Sequence, residues 1–417
     1  MANPITDPDT SWKDAGSDFI RSEVAGGGVL LAATIAAIIW ANAPFGDSYF
    51  TFWQTELSIG FGDFSISDDL QHWVNDALMA IFFFVVGLEI KRELAVGELN
   101  DRAKASLPII GAIGGVVLPA AIFVAFNRSG VAFEGWAIPM ATDIAFAVAV
   151  LALLGDRIPS GVRLLLLSVA IVDDVIAITV IAIFYTSDIN LVWLALGGAG
   201  LAFVVVMQRF GVTRIAPYVM VGMVIWLGFF ESGVHATIAG VLLGLLTPAK
   251  PFNGRRVLET LEHNLHPYTS FIVVPLFALA NAGILLSIDI VREAASSSIF
   301  LGIVFGLVVG KTLGISLAIF LAERLKLGVR PAGVETAHIW GIAALGGIGF
   351  TVSLFISQLA YSSPDIVETA KIGIFTGSLV SAILGSLLLL RKGRPSKSRS
   401  HSEAKSDLDS GNVSDST

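Results

Sequence analysis

Residues Leu164 to Tyr185 read LLLLSVAIVDDVIAITVIAIFY, a run of 22 residues whose only charges are two adjacent aspartates, Asp173 and Asp174, at its tenth and eleventh positions. A helix of this length, rising about 1.5 Å per residue, crosses the ~30 Å hydrocarbon core of a bilayer. The pair then falls at the midplane, where a charged side chain costs at least ~2.5–3.5 kcal/mol on insertion scales. Two neighbouring carboxylates persist there by facing water, a cation or each other. Successive helical residues point about 100° apart, so the two border one cavity from different directions, with one closer to an ion. Their oxygens are hard ligands suited to Na+ or Li+, and they also take protons. The plainer alternative is a buried, hydrogen-bonded acid pair that only specifies helix packing.

The rest of the chain places this run in a membrane. Of 417 residues 54% are hydrophobic and 14% charged, against roughly 25% charged in soluble domains, which excludes a water-soluble fold. Apolar stretches of helical length lie at about 23–43, 73–90, 107–126, 135–154, 164–185, 191–207, 215–230, 233–247, 265–287, 299–322, 337–360 and 371–390. The expectation is an all-α membrane protein of about twelve transmembrane helices. With an even number of spans, both termini share one side. The 26 Lys and Arg residues segregate: all but Arg128, Arg292, Lys311 and Lys371 gather on the side of the termini. By the positive-inside rule that side is the cytoplasm.

Three parts follow from composition. Residues 1–22 form an acidic arm with no basic n-region and no cleavage site, so no signal peptide is expected to be removed. Residues 23–390 form the transmembrane domain. Residues 391–417, rich in Ser, Lys, Arg, Asp and Gly, have too little apolar surface to offset ordering entropy and are expected to be disordered. Between the first two runs, residues 49–66 mix aromatic and β-branched residues with Gly and Asp. They point to a short outer β-hairpin turning near Gly60 to Asp63, and an exposed apolar hairpin is a candidate contact for a homodimer. The chain has no cysteine, so thiolate metal sites and thiol nucleophiles are excluded. No basic patch marks a nucleic-acid partner; the surroundings are membrane lipids.

Other charges lie where they are costly. Lys311, deep in the run 299–322, is too far from either interface to snorkel and needs an acid or a helix carboxyl end, with Asp173 the preferred partner. Asp143 follows Met140, Ala141 and Thr142 near the middle of its run, and Pro139 weakens the helix there. Gly346, Gly347, Gly349 and Thr351 occupy the middle of the run 337–360, where glycine lowers helix propensity by up to ~1 kcal/mol per residue. Interruption of both helices would put partial charges of about +0.5 and −0.5 at the midplane, which Asp143 and Lys311 are suitably signed to neutralise. Close helix packing is the alternative role for the glycines. The two runs are the middle members of trios, helices 3–5 and 10–12, that cross in opposite senses, as in inverted repeats.

Asp76 lies at one end of the second run, as a cap or packing group. Glu89, Arg92 and Glu93 lie at its other end, where ordinary cytoplasmic charge is expected. His235, His263 and His266 sit near helix starts, either as pH-titrating groups or as satisfied interfacial histidines.

Together, the stretches Asn75-Asp76-Ala77-Leu78-Met79-Ala80, Val86-Gly87-Leu88-Glu89-Ile90-Lys91-Arg92-Glu93-Leu94, Ala141-Thr142-Asp143-Ile144-Ala145-Phe146, Val172-Asp173-Asp174, Ser232-Gly233-Val234-His235-Ala236-Thr237, Gly310-Lys311 and Gly346-Gly347-Ile348-Gly349-Phe350-Thr351 resemble the NhaA family of sodium/proton antiporters. That family is itself a known example of inverted-repeat transporters with broken helices and midplane ion sites, so the repeat geometry is an expectation shared with it. The resemblance covers roughly residues 20–390. It implies a secondary transporter, not an enzyme, without cofactor, that extrudes Na+ or Li+ for two protons across a bacterial inner membrane and serves sodium and pH homeostasis. It implies that Asp173, Asp174 and Thr142 bind ion and protons. Asp143 and Lys311 would balance the helix breaks, and Glu89, Arg92, Glu93, His235, Glu262, His263 and His266 would shape the pH response. The acidic arm and polar tail are longer than the family pattern.

Two rivals stand beside this reading. Gly60-Phe61-Gly62-Asp63 matches the short G-x-G-D pattern of intramembrane aspartyl proteases, although that Asp falls in a polar loop. Oxygen ligands alone do not fix cation size, so a K+/proton exchanger or a passive cation channel also remains open.

Overall fold

The computed structural model describes residues 8–61, 64–186, 188–252 and 254–391. The tip of the expected hairpin at Gly62 and Asp63, and the expected disordered tail from 392 on, lie outside the described residues. The chain is an all-α membrane protein, with one small sheet among the described residues. Its elements are α1 Pro8–Ala41, α2 Asp47–Trp53, β1 Glu56–Phe61, β2 Phe64–Asp69, α3 Leu70–Ala95, α4 Arg102–Phe126, α5 Val131–Met140 and α6 Ile144–Leu153. There follow α7 Ser160–Phe184, α8 Leu191–Arg209, α9 Ile215–Phe230, α10 Thr237–Leu246, α11 257–281 and α12 Ile288–Ser296. The chain closes with α13 Ser298–Arg324, α14 Thr336–Leu345, α15 Phe350–Ala360 and α16 Pro364–Leu390.

Among the described residues, seven helices are long and apolar enough to cross a membrane, and nine spans result if the bent pairs α5–α6 and α14–α15 each count as one. The three other expected crossings fall on α9 and α10, which are shorter, and on α11, whose first turns are charged and amphipathic.

Helix ends follow local chemistry. Asp101 caps α4 by accepting from Ala103 N, and Asn190 caps α8 by accepting from Val192 N, each satisfying an amide left unpaired by the first turn. The expected run 265–287 differs at both ends. Its helix begins at Val257, because the first turns are amphipathic and lack the continuous apolar signal. It stops at Asn281, and residues 282–287 carry no regular structure. There the Tyr49 hydroxyl lies 2.9 Å from both Leu279 O and Ala280 O and accepts from Gly283 N.

The segment expected as a hairpin over 49–66 begins instead as helix, α2 reaching Trp53, since Tyr49 is anchored to the end of α11. The antiparallel strands pair later, from Glu56 opposite Asp69 to Phe61 opposite Phe64. The first helix also starts at Pro8, well ahead of residue 23.

Small residues set the spacing of the helices around the aspartate pair. A Cβ on Gly310 would lie 2.7 Å from Pro119 Cα, and one on Gly115 would lie 2.6 Å from Ile315 Cγ1. The α4 and α13 backbones therefore approach as only small side chains permit. A π turn at Gly306–Gly310 precedes Lys311 and aims it inward from α13. The same device joins α3 to α10, where a Cβ on Gly87 would meet Val241 O at 2.7 Å.

Candidate functional site

Asp173 and Asp174 lie midway along the unbroken helix α7 and are 1% and 7% exposed, and Lys311 is fully buried. Lys311 Nζ approaches Asp173 Oδ2 at 2.7 Å, the pairing expected from the cost of a lone lysine at this depth. The same ammonium donates to Thr142 Oγ1 at 3.0 Å. Thr142 in turn donates to Gly346 O at 2.8 Å. A continuous polar chain thus runs from α7 through α13 to both helix breaks. Asp173 Oδ1 has no hydrogen-bond partner, so half of that carboxylate is buried with an open acceptor capacity.

The breaks are real and cross each other. α5 meets α6 at a 43° bend and α14 meets α15 at 45°. Pro139 contributes to the first, where α5 is wound as a 3₁₀ helix, and the glycines contribute to the second. Asp143 joins the two helix amino ends. Its Oδ1 accepts from Phe146 N at the start of α6, and its Oδ2 accepts from Thr351 N and Thr351 Oγ1 at the start of α15. Asp143 N donates to Ile348 O at 2.6 Å. One carboxylate therefore offsets two positive helix ends. Lys311 reaches the opposite side of the crossing through Thr142, whose hydroxyl meets the carbonyl that follows α14. A narrow apolar slot lined by Val169, Ile315 and Gly346 opens onto Thr142.

The remaining expected residues divide into separate places. At the end of α3 far from the hairpin, Arg92 Nη1 lies 2.8 Å from Glu262 Oε1 on α11. Arg92 Nη2 is 3.5 Å from Glu93, and Glu93 Oε2 accepts from Glu98 N. Glu89 is half-buried on the same helix about one turn earlier. Glu262 lies ahead of the membrane run, and burial raises its carboxyl above the ordinary value of 4.5 despite the opposing pull of Arg92. His266 is half-buried and His263 is exposed on the same helix. His235 is not part of this group: its Nε2 lies 2.6 Å from Tyr185 O at the end of α7. Asp76 sits in a π turn, and its carbonyl accepts from Trp226 Nε1.

Sequence reasoning did not find Ser378 on α16, whose Oγ accepts from Gly349 N and Phe350 N. A serine in an apolar helix gives no signal of its partner. It also did not find the carboxamide cluster in which Asn281 Oδ1 accepts from Gln71, Asn75 and Gln358. Those residues come from three separate stretches of sequence.

A family model described as Na+/H+ antiporter 1 matches residues 17–389. The chain is 45% identical to the Na+/H+ antiporter NhaA of Shewanella pealeana, the match covering 88% of this chain and 95% of that protein. It is 47% identical to the Na+/H+ antiporter NhaA of Cronobacter sakazakii, with 89% and 96% covered. With the Na+/H+ antiporter NhaA 3 of Frankia alni it shares 45% identity over 89% and 87%.

The chain belongs to the NhaA family of sodium/proton antiporters.

As an NhaA family member it is a multi-pass membrane protein and a secondary transporter, not an enzyme. The protease alternative loses its ground, since family membership spans the whole transmembrane domain. The chain places its buried acid pair, its buried lysine and its two broken helices in one connected cluster.

Proposed function

We propose that this protein carries Na+ or Li+ out of the cell in exchange for two protons, at Asp173 and Asp174, across a bacterial inner membrane. The observation that carries the reading is Asp173 itself. It is buried next to a second carboxylate, with Oδ2 held by Lys311 and Oδ1 unpartnered. A carboxylate with open acceptor capacity in a nearly dry site accepts either a proton or a hard cation. Asp174 and the Lys311–Asp173 pair each give up one proton when the cation arrives, the pair holding its proton on the ammonium when no cation is present. Thr142 adds a hydroxyl oxygen at the edge of the site, and Asp143 keeps the helix crossing neutral. Two protons against one cation move one net charge per cycle.

In this reading all twelve apolar runs cross the membrane, the trios 3–5 and 10–12 are inverted repeats, both termini face the cytoplasm and exchange serves sodium and pH homeostasis. The Arg92–Glu262 pair, with Glu89, Glu93, His263 and His266 nearby, faces the cytoplasm and shapes the pH response, while His235 acts from the other end. A homodimer forms through the hairpin, on which Leu57 and Ile59 are exposed. Deletion of residues 56–69 is expected to convert the purified protein to monomers.

Everted vesicles test the transport reading. Na+ and Li+ added to vesicles under a proton gradient should release protons, K+ should not, and Asp174→Asn should abolish the response. An equal response to K+ would favour the K+ exchanger. Exchange without a transient current on a supported membrane would exclude the two-proton stoichiometry.

A further inference from the structure

The amino end of α15 presents its first amides in the middle of the bundle, where Gly349, Phe350 and Thr351 are buried and their amides need protein acceptors. Asp143 accepts from Thr351 Oγ1 and Thr351 N. The two amides before it, Gly349 N and Phe350 N, both donate to Ser378 Oγ, at 3.3 and 3.2 Å. Ser378 is 6% exposed and comes from α16, not from either broken helix. A serine that accepts from backbone amides at a helix start does the work of an N-cap, here supplied by another helix. The residue at the cap position, Gly349, has no side chain to do so itself. A Cβ there would fall 2.9 Å from Leu307 Cδ2 and 3.1 Å from Ala141 O, so a side chain at this position would have to displace its neighbours.

We propose that Ser378 is a positioning residue for ion exchange, capping the second half of the broken helix from outside and so fixing the crossing that holds the cation site. The links are continuous. Ser378 holds Gly349 and Phe350, the adjacent Thr351 is held by Asp143, and Asp143 N holds Ile348 O. Thr142, next to Asp143, holds Gly346 O and receives Lys311, which pairs with Asp173. Asp143 serves Phe146 on α6 as well as Thr351. Without Ser378, two buried amides lose their acceptor immediately before the Thr351 amide that Asp143 holds, so the start of α15 is left uncapped beside that bond. The inference rests on the exchange reading proposed above. It differs from a packing role because the oxygen, not the volume, of Ser378 is what acts.

Ser381 supplies the internal comparison. It lies about one turn further along α16, is fully buried and its hydroxyl has no partner. Its loss removes a buried hydroxyl from the same helix without uncapping α15.

The test measures Na+-dependent proton flux in proteoliposomes for wild type, Ser378→Ala, Ser378→Thr and Ser381→Ala. Ser378→Ala is expected to raise the Na+ KM by roughly five- to tenfold, the scale for leaving buried donors unsatisfied, with the maximal rate within about twofold of wild type. Ser378→Thr, which keeps the hydroxyl, should restore KM, and Ser381→Ala should resemble wild type. An unchanged KM in folded Ser378→Ala, or a Ser378→Thr as defective as Ser378→Ala, would overturn the proposal. So would a Ser381→Ala with the same KM rise as Ser378→Ala. If Ser378→Ala does not accumulate, Ser378→Cys replaces it, since sulfur is only a weak acceptor. An intermediate KM then supports the proposal and a wild-type KM overturns it. Wild-type protein without Na+-dependent flux would instead defeat the exchange reading itself, a separate outcome.

Discussion

Lys311 Nζ lies 2.7 Å from Asp173 Oδ2, with the lysine side chain fully buried and the aspartate 1% exposed. Removing one partner of a buried pair leaves the other charge uncompensated, at a cost of about 3–5 kcal/mol. Lys311→Ala is therefore expected to lower the melting temperature of the detergent-solubilised protein more than it changes the choice between Na+ and Li+. An unchanged melting temperature would show that the pair contributes nothing to the fold.

Asp143 bonds three donors on two helices. Asp143→Ala exposes both helix starts at once, and a loss on the order of 2–3 kcal/mol follows from the capping and buried-donor costs. Asp143→Asn keeps one carbonyl acceptor and should lose less. The order of the two melting temperatures checks this, and equal losses would contradict a capping role.

Gly310 sits against Pro119 with room for no side chain. Gly310→Ala should push α13 from α4 and cost roughly 1–3 kcal/mol as overpacking does. Because Lys311 is the next residue, the Na+ KM should shift with it. A stable Gly310→Ala protein with unaltered KM would mean that the close α4–α13 contact does not position Lys311.

Glu262 carries a pH signature at the far end of α3. Its folded carboxyl binds a proton more tightly than an ordinary glutamate of 4.5. The stability this contributes is fully present below 4.5 and is lost as pH rises through the raised folded value. Glu262→Gln removes that pH dependence. Its melting temperature relative to wild type should therefore rise from about pH 4 to about pH 7. A difference that stays constant across that range would refute the raised carboxyl.

The spans and the site were legible to different degrees. Continuous apolar runs disclosed the seven long helices and the two broken ones, because a bilayer demands length and allows few charges. The break at Thr142–Asp143 was visible through Pro139 and that at Gly346–Gly349 through its glycines. The Lys311–Asp173 pair was visible because neither charge tolerates the midplane alone. The π turns at Val74–Leu78, Thr269–Val273 and Gly306–Gly310 leave no mark on an apolar sequence, since composition does not distinguish them from α-helix. α2 was missed because its aromatic residues suit a strand equally well, and only the anchoring of Tyr49 on α11 decides between them. Ser378 and the cluster at Asn281 were illegible for another reason: each acts on a partner far away in sequence.

In the proposed exchange cycle Na+ and protons compete for Asp173 and Asp174. The most direct measurement is the Na+ KM for proton release in everted vesicles between about pH 6.5 and 8.5. Below the pH at which the site takes up protons, KM should rise about tenfold per pH unit for each proton displaced, while the maximal rate stays comparatively flat. Saturating Na+ should then restore activity at mildly acidic pH. A constant KM with a collapsing maximal rate would contradict competition at the aspartates and leave pH control to the groups around Arg92 and Glu262.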